Sequence, residues 1–229
     1  MREGIKICIG VPHSSVFPWQ TVATLLRLKF PETCEKKFHM IGSSLIYEAR
    51  EAIANYAVHL DSDYLLYIDS DMQFPDDMVL RMLEHLENHK DWGLVTGMAF
   101  RKVPPYQPCF YNRVEIVEGE TFLESPLEFP DDGVIKIDGC GMACCMIRTS
   151  VFKDLPKPWF FPKPILNEDL TFCLKLKDNN VPMYVDLKID VGHIMNVCAT
   201  KDFFRESYYK WKSTDMSKPL FKTGGKKYV

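Results

Sequence analysis

The sequence contains no apolar run that approaches the ~18–20 residues of a membrane-spanning helix. Its opening, Met1-Arg2-Glu3-Gly4-Ile5-Lys6, passes into a strand-like segment without the apolar stretch of a secretion signal, so a cytoplasmic protein is expected. C-x-x-C pairs are missing as well. The eight cysteines are Cys8, Cys34, Cys109, Cys140, Cys144, Cys145, Cys173 and Cys198. That spacing fits neither a zinc site nor a disulfide framework, and buried, reduced thiols are expected. Neither sign of charge is in large excess: 28 Lys and Arg against 31 Asp and Glu leave −3. This gives no global pull toward nucleic acid or an anionic membrane. No internal repeat, low-complexity segment or domain linker interrupts the chain.

What is present suits one substantial core, with 46% hydrophobic residues in 229. Charge is unevenly placed. Residues 199–229 hold eight Lys or Arg against three Asp or Glu, a local +5 that leaves −8 on residues 1–198. The same segment carries Phe203, Phe204, Tyr208, Tyr209 and Trp211, and positions 204, 208 and 211 fit one helical face. A basic, aromatic C-terminal helix and tail is expected over 199–229, with a lid over an anionic ligand or a peripheral membrane-surface contact as its candidate roles.

The most informative segment is 64–72, Tyr-Leu-Leu-Tyr-Ile-Asp-Ser-Asp-Met. Five apolar or aromatic residues without a break fit a strand buried on both faces. Asp69 and Asp71 follow at its carboxyl end, where open α/β sheets bind ligands. Hard oxygen ligands at this spacing suit Mg²⁺ or Mn²⁺ shared with a substrate phosphate. A second acid pair, Asp61 and Asp63, precedes the strand and belongs to the opposite end of the sheet.

Around this segment the periodicity predicts strands at 5–11, 38–41 and 93–97. Helices are expected after Pro18 (Trp19, Val22, Ala23 and Leu26 on one face), over 45–60, and from Pro75-Asp76-Asp77 to about 88. Ser43-Ser44 is a candidate cap for the second helix, and Asp76 and Asp77 read as capping residues of the third. The alternation implies a mainly parallel sheet with helices on its faces. Residues 98–138 read as antiparallel strands and long loops. A strand over 142–148, a short helix from Val151, a helix over 168–177 capped by Asn167, and a strand from 183 complete the chain. In the 45–60 helix, Arg50 lies about 40° from Ile46 and so inside the apolar stripe. An arginine there needs an anion, either a carboxylate inside the fold or a substrate phosphate, and the sequence leaves both open.

In this order the residues resemble glycosyltransferases of the GT-A fold, close to family 2 and its short phage and bacterial members. The resemblance covers about residues 4–195. It rests on Ser44-Leu-Ile-Tyr-Glu-Ala-Arg50, Tyr67-Ile-Asp-Ser-Asp-Met72, Gly97, Asp138-Gly139-x-Gly141, Pro158-Trp159-Phe160, Asn167-Glu168-Asp169 and Gly192-His193. One departure is Glu51, where relatives often have Asn. The resemblance implies an α/β fold of GT-A (Rossmann-like) type, mixed but mainly parallel. Residues 1–198 would form the domain, with a nucleotide-binding half at about 1–101 and an acceptor half at about 102–198. It implies transfer of a sugar from a UDP- or GDP-sugar to an unspecified acceptor hydroxyl.

 Inversion is implied by the Glu168-Asp169 motif alone. The resemblance gives Asp69, Asp71 and His193 as ligands of Mn²⁺ or Mg²⁺, and Pro12, His13, Ser14, Arg50, Asp69 and Ser70 as donor-binding. Asp169 would be the general base, with Glu168 beside it. Trp159, Gly139 and Gly141 would face the acceptor.

Other classes fit less well. Haloacid-dehalogenase-like phosphatases place their acid pair after the first strand, whereas Asp69 follows the third. Nucleotidyltransferases begin with a Gly-rich, basic loop that Val11–Phe17 lacks. A non-catalytic sugar-nucleotide or glycan binder has no need of a base.

Overall fold

The computed structural model describes residues 2–13, 17–163 and 166–195. The elements in chain order are β1 (Lys6–His13), α1 (Trp19–Arg27), β2 (Glu35–Gly42), α2 (Ile46–His59), β3 (Tyr64–Ile68), β4 (Met72–Gln73), α3 (Met78–Asn88) and β5 (Leu94–Ala99). They continue with β6 (Phe110–Tyr111), β7 (Arg113–Val117), β8 (Glu120–Glu124), β9 (Val134–Ile137), β10 (Gly139–Cys140), β11 (Cys144–Arg148), α4 (Thr149–Asp154), α5 (Glu168–Asp178) and β12 (Met183–His193).

The main sheet has the order β2-β1-β3-β11-β5-β12-β4, with β9 also paired to β12. Strands β1 and β2, β1 and β3, and β5 and β12 pair in parallel. The expected parallel frame is present, but β11 inserts between β3 and β5 and runs antiparallel to both. Alternation along the buried strands feeds two cores. Cys8, Leu65, Tyr67 and Cys145 join Ile53, Phe152 and Phe172 of α2, α4 and α5 on one face. Ile7, Ile9, Leu66, Ile68 and Met146 join Met78, Val79, Met82 and Leu83 of α3 on the other. Helices therefore cover both faces, as a sheet with two apolar sides requires. The close approach of α2 to β1 depends on Gly10, where a Cβ would stand 2.2 Å from Ile53 Cγ2.

Several local expectations change. The Trp19, Val22 and Leu26 face of α1 points outward, with Trp19 74% and Leu26 82% exposed, and the helix buries Thr21 and Thr24 instead. Their short side chains let the helix lie close at the sheet edge, with Thr24 Oγ1 donating to the Gln20 carbonyl at 2.9 Å. Ser43 accepts from the Leu45 backbone N–H at 3.0 Å, but the residue at the start of α2 is Leu45. Asp77 stands at the N-terminus of α3 without a capping side-chain bond, and Asp76 pairs with Arg27. Asn167 likewise starts α5 without one.

Of the described cysteines, Cys8, Cys140, Cys144, Cys145 and Cys173 are buried thiols, and Cys34 and Cys109 are partly exposed; all are free. Among the described residues no helix is long and apolar enough to cross a membrane. The expected helix and tail at 199–229, and with them the lid and surface-contact roles, lie outside the described residues.

Candidate functional site

The carboxyl end of β3 delivers Asp69, Ser70 and Asp71 to one rim of the sheet, and Asp69 N–H donates to the Ala143 carbonyl at 2.9 Å. The chain then forms β4, which pairs with the end of β12 and sets His193 opposite Met72. This register brings His193 Nε2 to 3.4 Å from Asp71 Oδ1. Its Nδ1 lies 2.8 Å from the Phe100 carbonyl. A carbonyl only accepts, so Nδ1 carries a proton, and Nε2 donates to Asp71 when the ring is also protonated there. Asp71 Oδ2 accepts from Lys102. Burial pushes the Asp71 carboxyl up, but bonds from His193 and Lys102 outweigh it and bring the group down to about 2.

Asp69 faces a different cation. Arg50, only 3% exposed, donates Nη2 to Asp69 Oδ1 at 3.0 Å, Nε to Glu168 Oε1 at 3.2 Å and Nη1 to the Met142 carbonyl at 3.3 Å. Of the two anions open to Arg50, the structure realises the carboxylate: the guanidinium is engaged inside the protein. The donor-binding role expected of Arg50 competes with this engagement, because its donors already point at protein oxygens. Burial raises the Asp69 carboxyl, and Arg50 opposes that shift.

Glu168 and Asp169 occupy the first turn of α5, where acids suit the helix dipole. Asp169 Oδ1 accepts from the Leu170 backbone N–H at 2.7 Å. Burial, then the charge of Glu168, lift Asp169 to about 7 against the pull of Arg50. Gly141 lies against this carboxyl, where a Cβ would stand in ordinary contact at 3.6 Å from Asp169 Oδ2. Gly139, expected on the acceptor side, is buried in β10, where a Cβ would meet Val114 Cγ2 at 2.8 Å.

Trp159, expected to face the acceptor, lies inside the core. It is 2% exposed, its ring packs against Phe152, and its indole N–H donates to the Leu155 carbonyl at 3.1 Å. No face of it is free for a sugar; the loop presents Phe161 outward instead, 54% exposed. Glu51, the departure noted in the sequence, accepts from the Phe160 backbone N–H at 2.8 Å and so anchors that loop. Pro12 and His13 end β1; the His13 ring lies 5.1 Å from Phe17, and its Nδ1 has no partner among the described residues. Ser70 is partly buried between the two acids, and Ser14 lies outside the described residues.

Among the described residues no three His, Cys, Asp or Glu side chains converge into a ready-made metal cage. Asp71 and His193 do form a carboxylate and imidazole pair of the right chemistry, and Asp71 already accommodates one cation, the Lys102 ammonium.

The fold resembles A197 from STIV, with a TM-score of 0.61 and 16% identity over 84% of this chain and 86% of that one. It also resembles GalNAc-T7, crystallised with UDP, GalNAc and Mn²⁺, with a TM-score of 0.58 and 10% identity over 84% of this chain. TarS 1-349 of S. aureus, in complex with UDP-GlcNAc, gives a TM-score of 0.53 and 13% identity over 85% of this chain. The fold is GT-A-like. This chain spans 43% of the GalNAc-T7 chain and 60% of the TarS chain. No protein-family model matches the sequence, and no curated protein is significantly similar to it.

Within the GT-A-like fold, Lys102 was not anticipated from the sequence. Its signal was the basic pair Arg101-Lys102 just beyond β5, on the rim that also carries Asp69. Arg101 donates to the Tyr111 hydroxyl at 2.9 Å.

Proposed function

We propose that this chain is a metal-dependent glycosyltransferase that moves a sugar from a nucleotide-diphosphate donor to an acceptor hydroxyl with inversion. The observation that carries this reading is the Arg50 bridge, which links Asp69 of the acid pair to Glu168 of the Glu-Asp motif. Through it a candidate donor site and a candidate base belong to one rigid unit, as a two-substrate transfer requires.

Asp71 and His193, with Asp69 nearby, would hold Mn²⁺ or Mg²⁺, which when bound neutralises charge developing on the leaving diphosphate. Asp169, lifted to about 7, is poised to take a proton near neutrality. The bond from the anomeric carbon to the diphosphate oxygen breaks, and its electron pair leaves with the diphosphate. The acceptor oxygen bonds to the same carbon from the opposite face, and its proton passes to Asp169. Pro12, His13 and Ser70 would meet the donor, and Gly141, beside Asp169, would face the acceptor. The resemblance to proteins crystallised with UDP or UDP-GlcNAc supports a nucleotide-sugar donor.

The test is release of nucleotide diphosphate from UDP- and GDP-sugars with Mn²⁺, in the parent and in Asp71→Asn. Release that is lost in Asp71→Asn supports the reading. Equal turnover in both proteins would discard the metal assignment, and binding without release would leave a sugar-nucleotide binder.

A further inference from the structure

The two acids of the rim have counterions of opposite kinds. Arg50 on Asp69 is buried and fixed by three acceptors. Lys102 on Asp71 is an exposed pair, with 41% of the lysine and 31% of the aspartate side chain accessible. Pairs of that kind contribute little to stability, because solvent screens them. The root of the Lys102 loop is held, while its side chain stands exposed at the rim. Phe100 and Pro108 form a β-bridge, Arg101 N–H donates to the Gln107 carbonyl at 2.9 Å, and Tyr106 N–H donates to the Val103 carbonyl at 2.9 Å. Lysine offers a compact charge on a four-carbon stem and suits a phosphate as a point charge.

We propose that Lys102 is an exchangeable counterion of Asp71, which yields that carboxylate to a divalent cation and carries its ammonium to the donor's diphosphate. This rests on the glycosyltransferase reading and adds a residue to it. Lys102 thereby opposes binding of the cation alone and favours binding of the diphosphate once the cation is in place. A lysine with only a structural role would not produce effects of opposite sign.

The experiment is calorimetric titration of Mn²⁺ alone, then of UDP and GDP at saturating Mn²⁺, into the parent, Lys102→Met, Lys102→Arg and Asp71→Asn, with melting temperatures as a check on folding. Lys102→Met is expected to tighten Mn²⁺ by roughly 2–5-fold, the scale of an exposed charge pair. The same variant is expected to weaken the diphosphate by a similar factor, Lys102→Arg to stay near the parent, and Asp71→Asn to lose Mn²⁺. Mn²⁺ binding by the parent that is unchanged or weaker in Lys102→Met overturns the proposal and leaves the glycosyltransferase reading standing. Tighter Mn²⁺ with unchanged diphosphate binding overturns the transfer of the ammonium. A parent that binds neither Mn²⁺ nor either diphosphate overturns this proposal and the reading beneath it.

Discussion

Arg50 donates to Asp69 Oδ1 at 3.0 Å from a position where only 3% of its surface is exposed. Burial disfavours its charge, but Asp69, Asp169 and Glu168 together raise its affinity for the proton. The helix that carries Arg50 is held against β1 and β3, and Tyr67 donates its hydroxyl to the Arg50 carbonyl at 2.6 Å. The guanidinium is therefore fixed from both ends, and the acids around it inherit its position.

Arg50→Met leaves two carboxylates without their cation in a dry setting. Removing one partner of a buried pair costs about 3–5 kcal/mol. The melting temperature is expected to fall accordingly. Because Arg50 also holds the Asp169 carboxyl down, the acidic limb of the pH–rate profile is expected to move upward in any folded fraction. An unmoved limb would limit Arg50 to a structural role.

Asp169→Asn keeps the shape of the side chain at the start of α5 but cannot accept a proton. Turnover is expected to fall by about 10²–10⁴ with little change in donor affinity. Comparable loss of donor binding would place Asp169 in the nucleotide site, and full activity would reduce it to a helix-terminus acid.

The pH dependence of Asp169 has two signs. As a base it works deprotonated, so turnover is expected to rise with pH through about 7. For folding, a carboxyl raised above its ordinary 3.8 favours the folded state while protonated. That contribution is fully present below 3.8 and is lost as pH rises through about 7. Asp169→Asn is expected to melt above the parent at high pH, with the gap closing as pH falls toward the ordinary carboxylate range. Melting curves across that window check it.

Trp159→Ala removes a buried ring that packs against Phe152. Deleting such a ring costs about 3–5 kcal/mol. Donor and acceptor affinities are expected to be unchanged in the protein that remains folded. A selective rise in acceptor KM at unchanged melting temperature would restore Trp159 to the acceptor surface.

The order of strands and helices was legible in the sequence because apolar period is local: a run such as 64–68 is apolar on both faces wherever it lies. The acid pair at the end of that run, the Glu-Asp start of α5 and the late His193 were legible for the same reason, each being tied to an element's end. Tertiary structure decided what local pattern does not encode. It inserted β11 between β3 and β5, a pairing between residues about eighty positions apart in the chain. It turned the Trp19 and Leu26 face of α1 outward and the Trp159 ring inward, because the burial of an aromatic depends on what packs against it. It also assigned Arg50 to Asp69 and Glu168, and Lys102 to Asp71. A charge takes its partner from the groups folding brings near, and those lie far away in sequence.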